Sequence, residues 1–116
     1  MGLKLKNNAA SSLAASLAAG DTMFSVLAGH GARFPVLVAG DWFPLAVQNV
    51  AGSIEYMRVT ARAGDVMTVV RGQENTAALD FDAGDLVFLP MTVAALNALG
   101  VINEVTISVD DATVTA

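Results

Sequence analysis

The sequence predicts a mainly β fold: a small antiparallel β-sandwich or barrel-like meander, with one short C-terminal helix and a β-prone tail. Three observations predict it. The tripeptide Ala-Gly-Asp occurs at 19–21, 39–41, 63–65 and 83–85, and Gly followed by Asp is turn chemistry. Each copy is followed by a strand-like run, TMFSVLA, WFPLAV, VMTVV and LVFL in turn. The stretch IEYMRVTAR alternates, with Met57, Val59 and Ala61 on one side and Tyr56, Arg58, Thr60 and Arg62 on the other. That is the pattern of a sheet with one face on a core.

Taken in order, SSLAASL and TMFSVLA pair around AAGD as strands, or SSLAASLAA forms a short helix; alanine favours the helix and tertiary context decides. From Trp42 to Val70 the chain reads as a three-stranded meander: WFPLAVQ, the turn NVAGS, IEYMRVTAR, the turn AGD, then VMTVV. Pro44 donates no ladder hydrogen bond, so its strand is expected at an edge or with a bulge. After LVFLP, Thr92 caps a helix VAALNAL that Gly100 ends. The last residues, VINEVTISVDDATVTA, are β-branched and read either as an arm whose strand partner lies on another chain or as a frayed tail. The expected organisation is one β module over 1–100 and an arm over 101–116.

With 116 residues the chain holds one domain and a modest core. Only 15% of it is charged, 6% is aromatic, and its mean hydropathy is +0.57, raised by 21 alanines that bury little area each. So few charges and so few large core residues favour completion by other subunits. The net charge of −5 leaves no basic stripe for nucleic acid. The absence of cysteine excludes disulfides, thiolate catalysis and Cys-ligated zinc. No run is apolar enough to span a membrane, and the N-terminus fits neither a signal peptide nor a myristoylation signal.

Residues 71–85, RGQENTAALDFDAGD, are one of the least apolar stretches of the chain and lie between two strand runs. Counted from Asp80, an EF-hand loop puts Gly84 at position 5, Asp85 at 6 and Met91 at 12, where a side-chain oxygen, a glycine and a glutamate are needed. The segment is therefore expected to be a rigid polar corner without a cation. His30, between two glycines, faces no nucleophile elbow and is expected at the surface. Arg71 can pair with Glu74 or bond bare carbonyls at a sheet edge, inside the domain or on a neighbour. Trp42, Phe43 and Tyr56 are too few for a convincing sugar-stacking platform.

The series NNAAS, GARFP at 31–35, AGDWF at 39–43, EYMRVTARAGDVMTVVRGQENTAA at 55–78 and AGDLV at 83–87 resembles a module of tailed-bacteriophage tail and tail-fibre-associated structural proteins. The resemblance covers roughly residues 7–95, and RVTARAGDVMTVVRGQE is its most specific part. Asn75 stands where relatives carry Gly, a replacement that still tolerates the left-handed region. Trp42 replaces Tyr, FPLA departs from a more polar strand, and the last 16 residues lie outside the pattern.

The resemblance implies a non-enzymatic virion component, on the tail rather than the capsid; from the residues themselves no cofactor, metal, nucleic acid, membrane or small-molecule ligand is expected. Its partners would be further copies of itself, as a trimer or ring, and other virion proteins. Arg71, Gly72, Gln73, Glu74, Phe34, Pro35, Trp42 and Phe43 are the candidate assembly and turn residues. A capsid decoration protein and a small carbohydrate-binding module are the alternatives.

Overall fold

The computed structural model describes residues 3–6 and 9–90. Six strands, β1 (Ala10–Ser12), β2 (Met23–Ser25), β3 (Phe43–Gln48), β4 (Ile54–Ala63), β5 (Val66–Gln73) and β6 (Leu86–Phe88), form one antiparallel sheet in the order β1-β6-β3-β4-β5-β2. The sheet curls into a half-barrel. At one end the outer strands meet: Leu13 bridges Val26, with Ala14 N–H donating to the Ser25 carbonyl and Leu27 N–H to that of Ser12. The barrel-like form of the expected fold is the one adopted.

All four strand runs that follow Ala-Gly-Asp are strands, and 42–70 is the expected meander, β3 beside β4 beside β5. SSLAASL takes its extended option, as β1 and then single bridges at Leu13 and Leu17. Pairing to β6, together with burial of Leu13 and Leu17 at 1% exposure, overrides the helical preference of its alanines. The expected helix over 93–99 and the arm over 101–116 lie outside the described residues.

Two strand-level expectations are corrected. β3 is not an edge strand, since it lies between β6 and β4. Pro44 is accommodated because β6 pairs only with Ala46–Gln48, leaving the Pro44 half of β3 with β4 as its one strand neighbour. Ala61 does not follow Met57 and Val59 inward. The β4–β5 register shifts between Val59 and Ala61, so the alternation breaks there and Ala61 is exposed.

The core fills the concave side of the sheet with Phe43, Leu45 and Val47 of β3, Met57 and Val59 of β4, Met67 and Val69 of β5, and Val87 of β6. Leu13, Leu17, Phe24, Val26, Phe34 and Phe81 close it from the strand ends and connections. Phe34 stacks on Phe43 at 5.9 Å between centroids.

Three of the Ala-Gly-Asp copies build one device. In each, the Asp N–H donates to the carbonyl three residues back, and its carboxylate accepts that residue's N–H: Asp21 with Ala18, Asp41 with Val38, Asp85 with Asp82. The fourth is the tight hairpin Gly64-Asp65 between β4 and β5, with Gly64 at φ 63°. Asp65 reaches across instead to the amides of Gly29 and Gly31 at 3.0 and 2.7 Å.

Candidate functional site

Two features gather the residues singled out from the sequence: a buried ion pair under the 71–85 corner, and the end of the half-barrel around Trp42.

The ion pair arises from strand phase. On β4, Glu55 precedes Met57 and Val59 by steps of two, and on β5 Arg71 follows Met67 and Val69 by the same steps. Both therefore project toward the core, and a carboxylate there is tolerated only with charge-matched hydrogen bonds. Glu55 is fully buried and the Arg71 side chain is 7% exposed. They form a two-pronged pair, Arg71 Nε to Glu55 Oε2 and Nη2 to Oε1, both 2.8 Å.

The pair's remaining hydrogen-bonding capacity is used on the backbone. Arg71 Nη1 donates to the carbonyls of Ala18 and Asp21, and Nη2 to that of Leu79. Glu55 accepts from the amides of Gly72 and Leu79. All five guanidinium N–H groups and both lone pairs of each carboxylate oxygen are thereby engaged. Burial pushes the Glu55 carboxyl up, but the Arg71 bond, the two amides and the neighbouring positive charge outweigh it and hold the pKa below the ordinary carboxylate value. With every donor and acceptor occupied, the pair can neither bind a further ligand nor relay a proton in this arrangement. It ties β4, β5, the 18–21 turn and the segment at Leu79 into one body.

The rest of the corner follows from it. Gly72 has φ 62°, and a Cβ there would sit 3.3 Å from the Thr76 carbonyl oxygen. Gln73 Nε2 donates to the Arg71 carbonyl. Glu74 and Asn75 both take left-handed backbone, at φ 54° and 68°, so Asn75 occupies the conformation expected of it. Thr76 Oγ1 donates to the Gln73 carbonyl at 2.6 Å and accepts the Tyr56 amide at 3.0 Å. Asp80 accepts the Ala19 amide. Among the described residues no group of three His, Cys, Asp or Glu is placed to hold a metal ion.

At the other end, Phe34 and Phe43 have no exposed surface and serve the core, so as folded neither can touch a neighbour. Pro35 is buried and its carbonyl accepts from Arg62 Nε at 3.0 Å. Arg58 stacks over Trp42, 4.1 Å from the ring centroid. Arg58 thus covers one Trp42 face, and Phe43, with no exposed surface, is unavailable for stacking on a sugar. His30 is half-buried rather than a free surface group; its Nδ1 lies 2.8 Å from Ser11 Oγ.

The pairing expected between Arg71 and Glu74 is corrected to Arg71 and Glu55, while the alternative use of bare carbonyls is realised. Glu55 escaped sequence reasoning, although a signal existed. An acid two residues before Met57 and Val59, in their phase, requires a cation, and Arg71 is in the matching phase of the next strand. Ala18, Asp21 and Leu79 gave no such signal, because their carbonyls are recruited across 8 to 53 residues of chain.

Comparison with protein-family models and with curated proteins found no match.

Proposed function

We propose that this chain is a non-enzymatic structural component of a tailed-bacteriophage virion, a tail or tail-fibre adaptor that acts by self-assembly and by contact with neighbouring virion proteins. One observation carries the reading. The Arg71–Glu55 pair and the turn aspartates in the stretch that resembles tail modules are spent on the backbone, while bulky aliphatic side chains stand in solvent. Arg71 and Glu55 make a closed network, and Asp21, Asp41, Asp65, Asp80 and Asp85 each accept a backbone amide. Meanwhile Val50 is 100% exposed, Val36 72% and Val38 67%. A rigid frame with apolar groups outside suits association more than chemistry.

The test has three parts. Light scattering on the purified chain over a wide concentration range is expected to show a defined oligomer; a dispersed monomer throughout would refute self-assembly. Deleting residues 101–116 is expected to preserve the far-UV spectrum and the unfolding midpoint while abolishing incorporation into particles. Unchanged incorporation would show that residues 101–116 do not attach the chain to the particle. Labelled protein is expected on tails, and label confined to heads would replace the adaptor with a decoration protein.

A further inference from the structure

The half-barrel is electrically bipolar, and its two ends carry matching apolar features. The six basic residues are Lys4, Lys6, Arg33, Arg58, Arg62 and Arg71. Arg71 is sealed in its ion pair, and the other five gather around the Trp42 end of β3. Lys4 N–H donates to the Trp42 carbonyl and Lys6 Nζ to that of Ala32. Arg33 adjoins Phe34, which stacks on Phe43. Arg58 lies over Trp42, and Arg62 bonds the Pro35 carbonyl. Among the described residues, the acids at this end are Asp41 and Asp65, and both hold backbone amides there. Val36 and Val38 project from the same loop.

The Gln48 end of β3 carries the opposite sign. Gln48 pairs with Leu86, directly after Asp85, and Asp85 accepts the Asp82 amide. Tyr56 pairs with Gln73, which places Glu74 beyond the β5 end. Asp80 caps Ala19, and Arg71 draws in the Asp21 carbonyl. Asp21, Glu74, Asp80, Asp82 and Asp85 therefore share this end, and its described residues hold no basic group outside the Arg71 pair. A shallow depression of about 200 Å3 opens there, lined by Gln48, Asn49, Val50, Gly84, Asp85 and Leu86. Val50 is fully exposed and Leu86 is 44% exposed.

We propose that copies of this chain associate head to tail, the basic Trp42 end of one seating Val36 and Val38 against the Val50–Leu86 depression at the acidic end of the next. Opposite charge selects this orientation over end-to-end contact between like ends, and burial of the valines supplies the holding energy. Such a contact joins two different patches, so it builds a ring if the rotation closes and a filament if it does not. The proposal rests on the self-assembly part of the function proposed above.

The experiment uses the full chain and two variants, each verified as folded by circular dichroism. One reverses the basic end (Lys6→Glu with Arg33→Glu). The other reverses the acidic end (Glu74→Lys with Asp82→Lys), at carboxylates that accept no hydrogen bond from described residues. Sedimentation velocity is expected to show wild-type assembly that weakens with added salt, and each variant alone dissociating about tenfold or more readily. Mixing the two variants is expected to restore assembly, because each then meets a complementary end. Wild-type assembly that ignores both salt and charge reversal would overturn the head-to-tail contact while leaving self-assembly intact. Variants that stay weak on mixing would overturn it as well. A monomeric wild type would overturn both readings.

Discussion

Glu55 and Arg71 show how one pair of side chains organises a small β domain. A buried ion pair is weak support for stability when an apolar pair of the same shape would do, but removing one partner costs about 3–5 kcal/mol. Arg71→Met and Glu55→Gln are each expected to lose stability of that order in urea unfolding. Here the usual recovery on replacing both partners is not expected. The pair also satisfies the carbonyls of Ala18, Asp21 and Leu79 and the amides of Gly72 and Leu79, which an apolar pair would strand. The double variant Glu55→Leu/Arg71→Met should therefore remain well below wild type, and a wild-type midpoint would contradict this account. The pair also sets an acid limb. The Glu55 carboxyl is depressed in the folded chain, so its contribution is complete above the ordinary carboxylate range and is lost as pH falls through the lower folded value. Stability against pH is expected to be flat near neutrality and to fall below about pH 4, more steeply in wild type than in Glu55→Gln.

At the level of elements, the turns give the Ala-Gly-Asp carboxylates their backbone partners. Three Ala-Gly-Asp turns cap themselves, and the hairpin turn at 64–65 docks onto the short 3-10 helix of His30–Arg33 through Asp65. The two amides hold the Asp65 carboxyl below its usual value, against a smaller opposing effect of burial. The docking is close: a Cβ on Gly31 would fall on the Gly64 carbonyl and against the Asp65 Cα. Gly31→Ala must push the hairpin and the 3-10 helix apart. It is expected to cost about 1–3 kcal/mol and to speed amide exchange at Gly29 and Gly31 in particular. Unchanged exchange at those two amides would mean that the hairpin is not held there. The turn positions were legible because glycine and aspartate act over three or four residues. The partner of Asp65 was not, since it lies more than 30 residues away.

For the whole molecule, the expected behaviour is concentration-dependent association that salt weakens, the apolar exposure and the separated charge acting on different steps. In the head-to-tail contact we propose, charge sets encounter and orientation, and burial of the valines sets lifetime. Val36→Ser with Val38→Ser should shorten the lifetime of the assembly with little effect on its rate of formation, as followed by dilution and by mixing. Equal loss in both rates would indicate that these side chains do not sit in the contact.

The strand runs, the meander from 42 to 70 and the four turns could be read directly from the chain, because they depend on alternation and on residues within a turn of one another. The extended form of SSLAASL, the placement of β3 between two neighbours, the pairing of Arg71 with Glu55 and the gathering of five cations at one end could not. Each depends on which distant strands lie side by side, and the sheet order β1-β6-β3-β4-β5-β2 sets that through cooperative burial of a shared core. No local pattern carries that information.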